Sequence, residues 1–90
     1  MESILGSYLK QKRAVIGLSQ SEVASHLGYS TAQYISNFER GVCQPSMKIL
    51  ARLAKLYKLN IDEFFDVVVE QQKQEIASYL YPKNKRKRSR

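Results

Sequence analysis

Ninety residues, 43% of them apolar and 26% charged, suffice for one small hydrophobic core and are too apolar for a wholly disordered chain. Four Gly, two Pro and no Trp leave little turn material for a sandwich or barrel, so an all-α domain is expected, and a net charge of +7 favours a polyanionic partner. One Cys and one His cannot make an internal disulfide or a zinc site of ordinary ligand count, and no Ser/His/Asp set or Gly-rich phosphate loop is present.

These exclusions favour binding over catalysis, with no cofactor, metal or small-molecule ligand expected. No run reaches the roughly 18 apolar residues of a membrane span, and Met1-Glu2-Ser3 does not open a signal peptide, so a cytoplasmic protein is expected.

The first helix is expected over about Ser3 to Val15, where Leu5, Tyr8, Leu9 and Ile16 share one stripe. Arg13 falls on that stripe, and a guanidinium facing a core needs a carboxylate from elsewhere in the fold. Ser19-x-x-Glu22 reads as a capping box opening a short helix that turns Val23, Ala24 and Leu27 inward and stops at Gly28. Ser30-x-x-Gln33 is a second candidate box, opening a helix that ends before Gly41. On this third helix Ile35, Phe38 and Thr31 form an inner stripe, whereas Ser30, Gln33, Asn37 and Arg40 cluster on the opposite side.

Pro45-Ser46 opens a fourth helix, with Ser46 as N-cap, Met47, Leu50, Leu53, Ala54 and Tyr57 inward, and Lys48, Arg52, Lys55 and Lys58 polar. Asn60-x-x-Glu63 caps a fifth, over about Asp62 to Tyr79, that Pro82 ends. Ile61, Phe64, Phe65, Val68, Ile76, Tyr79 and Leu80 lie near one side of it, the first three within reach of the first and fourth helices, where they can close the core, and the β-branched Val67-Val68-Val69 marks a place where it could break.

Charge divides the chain into three. Residues 1–60 hold eight bases against three acids, residues 61–82 one base against five acids, and the tail 83–90 six bases and no acid. A basic body joined to an acidic, apolar-striped segment suggests a polyanion-binding unit attached to something that meets protein.

Two short helices about a Gly-containing turn, the second with a polar outer face, make a helix-turn-helix pattern over about 19–40. Leu18-Ser19-Gln20-Ser21-Glu22-Val23-Ala24, Gly28, Ile35-Ser36-Asn37-Phe38-Glu39-Arg40-Gly41, Pro45-Ser46 and Leu53-Ala54 together resemble the Cro/repressor-type (XRE-like) helix-turn-helix family over about residues 4–66. The resemblance implies a five-helix, lambda-repressor-like DNA-binding domain, here with an extended C-terminal helix and a basic tail. It implies a third helix, about 30–40, in the major groove of double-stranded DNA, and a homodimer on an operator with repeated half-sites. It places Gln20 on a phosphate and Ala32, Gln33 and Asn37 at base edges, and it pairs Arg13 with Glu39. Between Gly28 and Gly41 the chain is one residue longer than the family's spacing, which leaves open whether Thr31 or Ala32 leads the contacts.

Chemistry supports these places independently, because Gln and Asn pair with adenine N6/N7, Arg pairs with guanine O6/N7, and Lys neutralises phosphate. The candidate DNA-binding set is therefore Gln20, Ser30, Thr31, Ala32, Gln33, Tyr34, Ser36, Asn37, Arg40 and Lys48. Gln33 has a second reading as half of its capping box, Tyr34 as packing against the turn, and Arg13 with Glu39 as a structural ion pair whose loss destabilises the fold. Cys43 reads as an ordinary loop residue, His26 as a surface residue and Lys83–Arg90 as either a phosphate-embracing or a solvated tail.

The expected organisation is a DNA-binding domain over 1–66, a helical extension over 67–82 and a disordered basic tail over 83–90. The extension is too long to close the monomer core alone, so Val68, Gln72, Ile76, Tyr79 and Leu80 are expected at a homodimer seam. The expected function is a sequence-specific transcriptional regulator, a repressor by resemblance, acting at the nucleoid. Rival readings are an antitoxin-like or adaptor protein that binds a partner through the fifth helix, and an RNA-binding module, for which the third helix lacks aromatic stacking platforms.

Overall fold

Of the five helices among the described residues, four start where a short polar side chain can take an amide that the first turn leaves without a partner. Ser3 accepts from the Gly6 N–H at 2.7 Å, Ser19 from Glu22 at 3.0 Å, Ser46 from Ile49 at 3.2 Å and Asn60 from Glu63 at 2.9 Å. The Ser19 box is closed in both directions, since the Ser19 N–H donates back to the Glu22 carboxylate. In the computed structural model, which describes residues 3–81, the helices are α1 (Ile4–Ile16), α2 (Gln20–Leu27), α3 (Gln33–Arg40), α4 (Met47–Leu56) and α5 (Ile61–Leu80). The described residues contain no strand, and no helix among them is long and apolar enough to cross a membrane. The basic tail 83–90 and Pro82 lie outside the described residues.

α3 departs from expectation at its start. It begins at Gln33, its N-cap Ala32 offers no side-chain hydrogen bond, and Thr31 Oγ1 instead takes the Gln33 N–H at 3.1 Å. The Ser30 capping box does not form, and Thr31 is exposed in the turn, not on the inner stripe. The cause lies at Tyr29, whose ring stacks on Tyr34 at 4.3 Å and meets Phe38 edge-on at 6.1 Å. Seating that ring under the helix uses up the residues that would otherwise have made its first turn.

Leu5, Leu9, Val23, Ala24, Leu27, Ile35, Phe38, Leu50, Leu53, Tyr57 and Phe64 form one buried cluster drawn from all five helices. Each of the larger side chains contributes about 1.5–3 kcal/mol by leaving water. α1 packs on both α3 and α5, and α2 packs on α3. Arg52 of α4 donates to the carbonyl oxygens of His26 at 3.0 Å and Leu27 at 3.3 Å, closing the C-terminus of α2.

Three side chains expected inward point out instead. Met47 is 70% exposed, Ile61 63% and Phe65 64%. Met47 and Ile61 are the first residues of α4 and α5, beyond the reach of the crossing helices, and Phe65 is turned about 100° from the buried Phe64. α5 runs unbroken through Val67-Val68-Val69 and across residue 66.

Polar contacts as well as apolar ones fasten α5 to the body. Tyr8 stacks on Phe64 at 5.8 Å and donates its hydroxyl to Glu63 at 2.9 Å, with Lys12 3.5 Å from the same carboxylate. Further along, the buried Gln71 accepts the Leu5 N–H at 3.1 Å, and Gln44, in the loop after α3, donates to Glu75.

Candidate nucleic-acid interface

α3 is built to be held on one side and open on the other. Ile35, Phe38 and Glu39 are buried, whereas Gln33, Tyr34 and Arg40 are exposed and Ser36 and Asn37 half-buried. The open side carries a continuous hydrogen-bonded row. Gln33 Nε2 donates to Asn37 Oδ1 at 2.9 Å, Arg40 Nη2 donates to the same oxygen at 2.8 Å, and Arg40 Nε donates to Ser36 Oγ at 3.2 Å. Tyr34 is taken up by its stacking on Tyr29, so its ring braces the turn.

The inner side is anchored by charge. Arg13 Nε and Nη2 donate to Glu39 Oε2 and Oε1 at 2.6 and 3.1 Å, Nη1 donates to the Leu18 carbonyl at 2.9 Å, and Gln20 Nε2 donates to Glu39 Oε1 at 3.0 Å. Hydrogen bonding to Glu39 holds the Arg13 pKa above its ordinary value, so the guanidinium is always charged. One carboxylate thus joins α1, the start of α2 and α3. The sequence demanded an acid for Arg13, and Glu39 is that acid. Gln20, expected on a phosphate, has one of its two amide hydrogens already committed to Glu39.

Between α1 and α3 opens a polar cleft of about 600 Å³ lined by Ser7, Lys10, Gln20, Ser36, Glu39, Arg40, Gly41 and Val42. Lys10 and Ser7 were not among the sequence candidates, because they lie on α1 outside the helix-turn-helix. Gly6 was the available signal: the missing side chain lets α1 approach the backbone of Phe38 and Glu39 closely enough to bring its neighbours beside α3. Lys48 is exposed in the first turn of α4, and Ser30 and Thr31 are exposed in the turn before α3.

The short helices α2 and α3 thus meet across the turn at residues 28–32, with a polar face outward and an ion pair beneath. A helix-turn-helix family model matches residues 9–64, well over half of the chain, from α1 into α5. The chain belongs to the XRE-type helix-turn-helix family.

Over 58 residues, 64% of this chain and 63% of the relative, the helix-turn-helix protein is 41% identical to the ImmF control region 10 kDa protein of Bacillus phage phi105. Over 57 residues, 63% of this chain and 85% of the relative, it is 37% identical to an uncharacterized HTH-type transcriptional regulator of Methanocaldococcus jannaschii. The match therefore spans less than two thirds of the phage protein's length.

The remaining candidates of this helix-turn-helix chain sit elsewhere. Ile76, Tyr79 and Leu80 are exposed on the second half of α5, Gln72 is half-buried, and Val68 is partly buried against the core. An open apolar groove of about 550 Å³ runs between α4 and α5, where Met47, Ile61, Phe65, Val69 and Ile76 meet Val68 and Gln72. Of its lining, Met47, Ile61 and Phe65 had been expected in the core.

Proposed function

We propose that this helix-turn-helix protein is a sequence-specific double-stranded-DNA-binding regulator of transcription, a repressor, that places α3 in the major groove. The observation that carries it is the polar row Gln33–Asn37–Arg40, held rigid by Ile35, Phe38 and Glu39 behind it. Amides and a guanidinium on an exposed helix match base edges in the major groove, and a helix fits that groove. Lys10, Gln20 and Ser36, which line the cleft, and Lys48, exposed in the first turn of α4, would meet the phosphates, with Ser30, Thr31 and Ala32 at the leading end of the helix. The printed names of the two relatives, a control-region protein and a transcriptional regulator, agree with this reading. A regulator of this kind works in the cytoplasm, on the nucleoid.

The protein acts as a homodimer through the α4–α5 face. An apolar groove lined by exposed Met47, Phe65 and Ile76, with Tyr79 and Leu80 exposed further along α5, is costly to leave in water, and two copies related by a two-fold axis would cover it and present two α3 helices to repeated half-sites.

Selection of bound duplexes from a random pool tests the first claim. Saturable binding is expected, with log affinity falling against log salt by about 0.9 per phosphate contact. Absence of saturable duplex binding would leave the adaptor reading in its place. Sedimentation of the intact protein and of Ile76→Glu tests the second. A dimer that the substitution converts to monomer is expected, and two identical monomeric profiles would refute it.

A further inference from the structure

An Asn or Gln side chain shows a base an acceptor on one side and donors on the other, so which way each amide faces decides which base it can read. On α3 that orientation is fixed from Arg40. A guanidinium has five N–H donors and no acceptor, so the Asn37 atom 2.8 Å from Arg40 Nη2 has to be the oxygen. The Gln33 atom 2.9 Å from that same oxygen then has to be the nitrogen. Arg40 is itself held at its other edge, where Nε donates to Ser36 Oγ at 3.2 Å, and among the described residues no carboxylate within ion-pair distance of it competes.

Two donors fill the two lone pairs of Asn37 Oδ1. What Asn37 has left to offer is the pair of N–H groups on Nδ2, and it can no longer act as the donor-and-acceptor partner of adenine. Gln33 has lost one hydrogen and keeps Oε1 together with its second N–H, the combination that adenine N6–H and N7 require.

We propose that Gln33 reads an adenine, that Asn37 donates to the acceptor edge of a guanine or thymine one helical turn further along α3, and that Arg40 is the positioning residue that sets both orientations. This rests on the reading of α3 as the DNA-facing helix. It gives Arg40 a role distinct from pairing with guanine itself and removes Asn37 from the set of adenine readers.

The test is selection of bound duplexes from a random pool by the full-length protein, its Arg40→Lys variant and its Asn37→Asp variant, with helical content checked by circular dichroism. Arg40→Lys keeps the positive charge but cannot donate to Ser36 and Asn37 together. The wild type should select adenine at one position of the half-site and guanine or thymine at a second. Arg40→Lys should lower the adenine preference about tenfold, the scale of one bidentate base contact, with the salt slope unchanged. Asn37→Asp keeps the oxygen that receives Gln33 and Arg40, so adenine should persist while the second position shifts to cytosine, whose N4 amine suits a carboxylate.

An Arg40→Lys pool identical to wild type, or one altered only at a third position, would overturn the positioning role. An unchanged second position in the Asn37→Asp pool would overturn the donor assignment. A wild-type protein that selects no sequence defeats the DNA reading itself, and that outcome is told apart because it is seen before any substitution is made.

Discussion

The guanidinium of Arg13 in α1 grips the carboxylate of Glu39 in α3 with two hydrogen bonds of 2.6 and 3.1 Å, and Glu39 is only 5% exposed. A buried carboxylate and a half-buried guanidinium contribute modestly while paired, but removing one strands the other. Glu39→Ala should therefore cost about 3–5 kcal/mol in urea unfolding, and Arg13→Met should cost a similar amount. The double variant Arg13→Met, Glu39→Leu should recover much of that loss, since it leaves no stranded charge. Additive losses in the double variant would show that the two residues act separately.

Alanine in place of glycine normally strengthens a helix, yet Gly6→Ala should weaken this protein. A Cβ at Gly6 would lie 2.8 Å from the Phe38 carbonyl oxygen, 2.7 Å from Ser3 Oγ and closer still to the Glu39 carbonyl. Backbone cannot step aside as a flexible side chain can, so α1 and α3 must separate, at a cost of about 1–3 kcal/mol. A raised midpoint in thermal unfolding would contradict the close approach.

Gln71 should behave as a structural residue although it lies far out on α5. Its side chain is buried and accepts the Leu5 N–H, which the first turn of α1 leaves without a partner. Gln71→Leu keeps the bulk and removes the acceptor, so a loss of about 1–3 kcal/mol is expected, with faster amide exchange at Leu5. Unchanged exchange there would mean that the bond is not maintained.

The Tyr8–Glu63 contact should contribute to both alkaline and acid stability. Burial, and then the bond to Glu63, raise the Tyr8 pKa from 10.0 to about 12. The native state therefore holds that proton more tightly than the unfolded chain, so the stabilisation is complete below pH 10 and is lost as the pH climbs to about 12. Glu63 moves the other way: the Tyr8 hydroxyl, and then Lys12, hold its pKa below the ordinary 4.5, giving stability that is present above that pH and lost as acid protonates it. Urea unfolding of wild type and Tyr8→Phe across pH checks both arms, because Tyr57, whose pKa burial also raises, is common to the two proteins. A gap between them that stays constant from neutral pH to pH 12 would contradict the assignment.

Most of the helical framework was legible in the sequence because its signals are local. Ser19 and Glu22, Ser46, Asn60 and the glycines at 17, 28 and 41 act within one turn of themselves, and each glycine does end its helix with a positive φ. Arg13 and Glu39 were legible for a different reason, since a charge on an apolar stripe must find a counter-charge. The start of α3 was not, because local capping by Ser30 lost to the packing of Tyr29 on Tyr34 and Phe38, a contact that no capping pattern encodes. Met47, Ile61 and Phe65 were misplaced because periodicity marks an apolar side without saying whether this chain covers it. Lys10 escaped notice because its nearness to α3 depends on how α1 crosses over Gly6.

The central claim, that the open side of α3 reads duplex DNA, is tested most directly by one ratio: affinity for a selected duplex over affinity for an unrelated duplex, at fixed salt. The wild-type ratio should be large. Gln33→Ala should reduce it roughly tenfold or more by loss of a base contact, whereas Lys48→Ala should weaken both duplexes alike and leave the ratio unchanged. A wild-type ratio near unity, or one that Gln33→Ala leaves untouched while the fold is intact, would contradict the claim.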